Sequence, residues 1–204
     1  MKKLAALIVG IFAFVATSQA QIEVSPFVGY TFGDKFYAGR VGDGMSYGAS
    51  IAYPIRRFAS IEFTYMGQQC TAESYYSKMK ADMNSNYFLL GLVKNIPVAQ
   101  AISVYGGGAI GIASYNTVFE NTDAMVKFGV GFKAGVKFWL NDKVAIFTQI
   151  NANFPVTDVN ADVWWTLGGG PDAGLSTSVP FTQFGFNAGL AIKLGSKGSS
   201  AAAN

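Results

Sequence analysis

The most regular stretch of the chain runs from Val126 to Phe138. Val126, Phe128, Val130, Phe132, Ala134, Val136 and Phe138 take every second position, and Lys127, Gly129, Gly131, Lys133, Gly135 and Lys137 fill the places between. Side chains of a strand point alternately to opposite faces of a sheet, so this spacing puts every apolar group on one side. The run is thirteen residues long, more than twice the roughly five or six of an ordinary strand. Length and alternation together predict a strand that crosses a membrane.

The same period of two recurs along the chain. Phe184, Phe186, Ala188, Leu190, Ile192 and Leu194 oppose Gln183, Gly185, Asn187, Gly189, Ala191 and Lys193. Val144, Ile146, Ile150, Ala152 and Phe154 oppose Gln149, Asn151 and Asn153, with Thr148 interrupting the apolar parity. Ala59, Ile61, Phe63 and Tyr65 oppose Ser60, Glu62, Thr64 and Met66. Weaker faces are Ile22, Val24, Val28, Tyr30 and Phe32, despite Pro26, and Tyr47, Ala49, Ile51 and Tyr53. Segments 86–93 and 103–115 are apolar or glycine-rich on both parities, so the pattern leaves their faces unassigned.

Eight strands are predicted, over 22–32, 44–53, 59–70, 83–94, 102–115, 125–138, 144–156 and 181–194. Their connections alternate in length. Pro54–Phe58, Asn95–Ala101 and Leu140–Lys143 are short, whereas Gly33–Asp43, Thr71–Asp82, Asn116–Ala124 and Thr157–Pro180 are long. Outer-membrane barrels place short turns in the periplasm and long loops outside the cell, and eight strands with both termini inside need three of one and four of the other. In hydrocarbon an unpaired backbone amide costs several kcal/mol, so such a sheet has to close and lose its edges. The fold class expected is therefore all-β, a single closed antiparallel transmembrane barrel with up-and-down connections. Aromatic residues on the outward parity form two girdles in this reading: Tyr30, Phe32, Tyr65, Tyr87, Phe128, Phe154 and Phe184 near one end, Tyr53 and Phe138 near the other.

The first twenty residues differ in kind. Lys2 and Lys3 precede an apolar run from Leu4 to Val15, and Ser18-Gln19-Ala20 puts small residues one and three before a break. This is a secretory signal pattern, too short to cross about 30 Å of hydrocarbon. The expected organisation is a signal peptide over 1–20, a barrel over 21–194 and a polar tail over 195–204. The formal charge of +3 falls to about +1 without the two leading lysines. With 13% charged residues beside 50% hydrophobic ones, the composition argues against disorder and against nucleic-acid binding. The single cysteine, Cys70, allows neither an internal disulfide nor a thiolate cluster.

The signal pattern, the eight alternating segments, the alternating connections and the last strand FTQFGFNAGLAIKL are similar to the small OmpA/OmpX-like outer-membrane β-barrels, also described as porin-family or outer-membrane β-barrel domains. The resemblance covers the mature chain and implies location in the cell outer membrane of a Gram-negative bacterium. It also implies contact with lipid and lipopolysaccharide, delivery by barrel-assembly machinery, and extracellular loops open to a host or surface ligand. The chain departs from the family in continuing past Leu194 into Gly195–Asn204 instead of ending on an aromatic residue.

Candidate chemistry is sparse. There is no histidine, which removes the usual base of membrane hydrolases and acyltransferases near neutral pH. No catalytic, cofactor-binding or metal-binding residue is assigned, and no cofactor is expected. The inward Glu23 and Glu62 resemble an acid and base pair, but buried charges need partners, and Lys127, Lys133, Lys137 and Lys193 share their side of the sheet. Gly106-Gly107-Gly108-Ala109-Ile110-Gly111 matches G-x-G-x-x-G without the following helix or later acidic residue of a dinucleotide site. Glycine here suits close backbone packing in a barrel wall. Asp158-Val159-Asn160-Ala161-Asp162 opens like a calcium loop, yet Val163 stands where glycine should and Gly169 where glutamate should. Trp164, Trp165 and Gly168-Gly169-Gly170 in the same loop suit partner or lipid contact, or packing over the barrel mouth. Nine acidic loop residues, Asp34, Asp43, Glu73, Asp82, Glu120, Asp123, Asp158, Asp162 and Asp172, face four basic ones, Lys35, Arg40, Lys78 and Lys80, a net of five negative charges.

A barrel of eight strands is just wide enough for its own side chains to fill it. The expected function is therefore non-enzymatic: an envelope-structural or surface-interaction role, by adhesion or evasion. Two alternatives are a narrow channel or binder for small apolar or ionic solutes, and a soluble periplasmic lipid carrier, whose outer surface would be polar.

Overall fold

The computed structural model describes residues 21–36, 39–74, 80–117, 125–156, 158–160, 176–178 and 182–195. Among them there is no helix. Eight long strands carry the fold: β1 (Ile22–Phe32), β2 (Gly44–Arg56), β3 (Ala59–Ser74), β4 (Lys80–Ala99), β5 (Ile102–Thr117), β6 (Met125–Trp139), β7 (Val144–Val156) and β8 (Gln183–Leu194). Each pairs antiparallel with its neighbours in sequence, and β1 pairs with β8, so the ring of eight strands closes. The predicted strands all stand, and several are longer than the sequence suggests. β3 and β4 run on beyond Thr71 and Asp82 and stay paired out to Glu73 and Lys80, so most of that expected loop is strand. Within the loop expected at Gly33–Asp43, Asp34–Phe36 pairs with Gly39–Val41, which pairs in turn with the end of β3.

At the opposite end the turns shrink to Arg57–Phe58 and Gln100–Ala101, with Leu140–Lys143 as expected. Asn141 closes the last of these, its Oδ1 accepting the amides of Lys143 and Val144, each at 2.8 Å. Proline marks three irregularities, since it has no amide to give to a ladder. Register shifts lie between Pro54 and Arg56 and between Pro97 and Ala99. Pro26 keeps its pairing with Ala49 of β2, but the ladder to β8 passes from Val24↔Ile192 to Phe27↔Gly189 and skips Ser25 and Pro26.

The outer wall is far more apolar than the surface of a water-soluble protein, and many polar side chains are buried inside it beside apolar ones. Val28, Phe32, Leu90, Ile110, Phe132, Ile150 and Phe184 are each more than half exposed, and twenty-eight large hydrophobic residues among those described face outward. A monomeric soluble protein seldom exposes a contiguous apolar patch beyond a few hundred Å². The buried set, by contrast, includes Ser25, Ser46, Ser50, Gln68, Gln149, Asn151, Asn153, Gln183 and Asn187, with Glu62 and Lys137. Such a wall presents apolar side chains to hydrocarbon and keeps all its backbone pairing internal.

The two unassigned segments now have faces. In β4, Phe88, Leu90, Leu92, Ile96 and Val98 point outward, while Met83, Ser85, Tyr87, Leu89 and Val93 are buried inside. In β5, Ile110 and Ile112 point outward, and Tyr105, Ala113 and Tyr115 inward. One girdle assignment is thereby corrected: Tyr87 is fully buried in the interior. Its hydroxyl lies 2.6 Å from that of Tyr115 and donates to Gln183 Oε1 at 2.6 Å, partners that lipid does not offer.

Candidate functional site: the barrel interior

Inward side chains fill the lumen in layers. At the end bearing the turns, Lys193 Nζ lies 3.6 Å from the centroid of the Trp139 ring, and the indole amine donates to Ser103 Oγ at 3.0 Å. Next comes a charged layer. Lys137 donates to Glu23 at 2.5 Å and to Asn95 Oδ1 at 3.1 Å, with its ammonium 4.8 Å from the Tyr105 ring. Ser25 also donates to Glu23, at 3.3 Å. Slightly deeper, Lys133 is hydrogen-bonded and ion-paired with Glu62, which takes a further bond from Thr64 at 2.7 Å. The two carboxylates predicted to pair with lumenal lysines do so with Lys133 and Lys137. Each is thereby committed to a cation, which fits a structural role better than proton transfer.

Aromatic rings complete the lower half. Tyr105 donates to Gln149 Oε1 at 2.8 Å, and its ring meets Phe147 edge-on at 6.3 Å. Three of the lower rings face a glycine across the ladder: Tyr105 opposite Gly135, Phe27 opposite Gly48, and Phe147 opposite Gly189. A methyl group on Gly135 would sit 2.8 Å from the Tyr105 ring and 2.3 Å from the backbone oxygen of Thr148. Glycine is what lets a ring lie flat against so narrow a wall.

Toward the loop end a neutral network takes over. Ser46 donates to Asn187 Oδ1 at 2.9 Å, and Asn187 donates to Asn151 Oδ1 at 3.0 Å. Asn151 and Asn153 both point amide groups at Met66 Sδ, at 3.8 and 3.7 Å. Above them lie Tyr87, Tyr115 and Gln183. Between the two polar zones is a small space bounded by Phe27, Met66, Leu89 and Val93 on its apolar side and by Glu62 and Lys133 below. This cavity measures about 40 Å³, room for a few waters.

The remaining sequence candidates are dispersed. Gly106–Gly111 lies wholly within β5. Asp158–Asn160 forms a short strand paired with Ser176–Ser178. Asp162, Trp164, Trp165, Gly168–Gly170, Asp172, Glu120, Asp123 and Lys78 lie outside the described residues, as do segments 1–20 and 196–204. Two of the acidic loop residues serve local structure. Asp43 accepts the Gly33 amide at 3.0 Å and the Tyr30 hydroxyl at 3.1 Å, while Asp34 accepts the Thr182 amide at 2.7 Å. Among the described residues no cluster of three potential ligands could hold a metal ion. The pattern in sequence did not reveal Tyr87, Tyr105, Tyr115 and Trp139 as lumenal anchors, because an aromatic residue reads equally well as lipid-facing.

No protein-family model matches the chain, and no curated protein sequence is similar to it. Solved structures are similar to it in fold. The barrel superimposes on Neisserial surface protein A (NspA) with a TM-score of 0.65 at 12% identity, covering 87% of this chain and 98% of that one. The outer membrane protein OprG of Pseudomonas aeruginosa gives a TM-score of 0.57 at 11% identity, over 89% and 99% of the two chains. The N-terminal β-barrel domain of OprF from Pseudomonas aeruginosa gives 0.50 at 10% identity, over 85% and 97%. The fold is that of the small outer-membrane β-barrels.

Proposed function

We propose that this chain is exported by means of its N-terminal segment and inserted into the outer membrane of a Gram-negative bacterium, where it acts as a non-enzymatic barrel. Its role lies in stabilising the envelope or in presenting loops for surface interaction. The observation that carries this reading is the apolar outer wall around a lumen that holds paired charges and hydrogen-bonded amides. A wall of that kind has its low free energy in lipid, and a lumen so filled leaves no pore. Activity then falls to the ends of the barrel. The similarity in fold to a Neisserial surface protein and to an outer membrane protein of Pseudomonas supports the same compartment. The net negative loops are suited to sharing divalent ions with lipopolysaccharide.

A second reading, a narrow binder or channel for small solutes, draws on the space beside Met66 and Leu89. Two measurements separate these. Gel mobility with and without boiling is expected to shift, because closed membrane barrels resist detergent until heated. In planar bilayers the current trace is expected to stay flat across the physiological voltage range, and discrete conductance steps would replace the first reading by the second. A mature chain that stays folded and monomeric in plain buffer, without partitioning into detergent, would overturn both.

A further inference from the structure

Near the turn end, one row of residues on the outer wall departs from the apolar pattern. Arg56 of β2 is registered with Ala59 of β3, Ala59 with Lys94 of β4, and Lys94 with Gly106 of β5. Neighbouring strands lie about 4.8 Å apart, so the backbones bearing the two cations are about 10 Å apart across a single methyl group. An open depression of about 450 Å³ lies over this row. Arg56, Arg57 and Lys94 border it, and Ile55, Phe58 and Leu92 give it an apolar floor. The Arg57 guanidinium lies 5.2 Å from the centre of the Phe58 ring. On the far side the wall stays open, since a methyl group on Gly106 would meet only the Lys133 carbonyl at 3.4 Å and the Ala134 side chain at 3.9 Å.

All three cations are exposed, and none has a carboxylate partner among the described residues. Cations bordering an apolar floor on a lipid-facing wall fit an amphiphile, with its anionic group between them and its chains against the wall. We propose that this depression binds an anionic glycerophospholipid of the inner leaflet. The phosphate is held between Arg56, Arg57 and Lys94, with guanidinium forks matching its oxygens. An acyl chain lies along Leu92 and across Gly106. The proposal rests on the membrane-spanning reading given above, with the short turns at the periplasmic side.

The test uses the mature protein in a non-ionic detergent with equimolar phosphatidylglycerol and phosphatidylcholine of identical chains, read by native mass spectrometry. The wild-type protein is expected to retain phosphatidylglycerol about tenfold over phosphatidylcholine, equivalent to about 1.4 kcal/mol. The preference is expected to fall to about one in the triple variant Arg56→Gln, Arg57→Gln, Lys94→Gln, and to persist in Lys143→Gln, which alters another turn at the same end. Lys94→Gln alone, a milder change, is expected to lose at least half of it, so the proposal stays open to refutation should the triple variant not close. A wild-type ratio near one, an unchanged ratio in these variants, or an equal loss in Lys143→Gln overturns the site. Failure of the membrane-spanning reading shows separately, as absence of detergent partitioning and of a heat-dependent gel shift before any lipid is added.

Discussion

Lys137 of β6 grips Glu23 of β1 at 2.5 Å across the lumen, although 114 positions of chain separate them. Their side chains are only 6% and 13% exposed. Removing one partner from a buried pair leaves an uncompensated charge, which costs about 3–5 kcal/mol, whereas replacing both is far cheaper. Glu23→Gln and Lys137→Met are each expected to destabilise the barrel by that amount. The double variant should lie well below the sum. Urea unfolding in lipid vesicles, followed by gel mobility, measures the cycle, and additive losses would show that the two residues act independently.

The outer wall gives a prediction of opposite sense to that for a soluble barrel. Leu90 lies midway along β4 and points outward. Leu90→Arg is expected to cost about 2–4 kcal/mol in vesicles, the figure for a cation on the lipid face near the bilayer midplane. In a water-soluble protein such an exposed substitution is nearly neutral. Equal stability of variant and wild type would place this face in water.

Two glycines separate backbone from side-chain crowding. A methyl group on Gly135 would press on the Thr148 backbone oxygen at 2.3 Å, while the atoms nearest to one on Gly67 belong to the far end of the Tyr47 ring, from 2.9 Å outward. Gly135→Ala is therefore expected to cost about 1–3 kcal/mol, as overpacking does. Gly67→Ala should cost less, because a ring on the outer wall can swing aside. The comparison requires only the two unfolding midpoints.

The loop-end interior can be probed chemically. Cys70 is buried, with its Sγ 3.6 Å from the Met83 carbonyl. A maleimide reagent is expected to leave it unmodified in the closed barrel and to label it after boiling. Tyr87→Phe removes the bond to Gln183, and an amide oxygen left unsatisfied costs about 1–3 kcal/mol. That variant should show a lower unfolding midpoint, and faster Cys70 labelling if Tyr87 helps hold the adjoining wall closed.

How far these features could be read from the chain depended on contrast between the two parities. Where lysine, asparagine and glycine alternate with phenylalanine and valine, as over 126–138 of β6 and in β8, the facing of the residues followed from spacing. The Glu–Lys pairing followed as well, because few cations share the inner parity. β4 and β5 resisted because Leu89 and Val93 line the small lumenal space while Leu90 and Leu92 face lipid. Hydrophobicity cannot sort two faces that are both apolar. Tyr87 was misplaced for a related reason: an aromatic ring near a strand end suits a girdle, and its partners Tyr115 and Gln183, both remote in sequence, show why it turns inward. The basic row of Arg56 and Lys94 was likewise hidden, since it joins strands through a register that no local pattern states.

Pro26 loosens the first strand on the side where it meets the last. The join between the chain's first and last strands forms only when both ends of the polypeptide have arrived, and two consecutive rungs are missing there, at Ser25 and Pro26. Strain that pulls the cylinder apart meets fewer bonds along that line than along the ladder from β3 to β4, which runs unbroken from Ala59 to Glu73. The first strand, with nine registered pairs on each side, is accordingly the most lightly held of the eight.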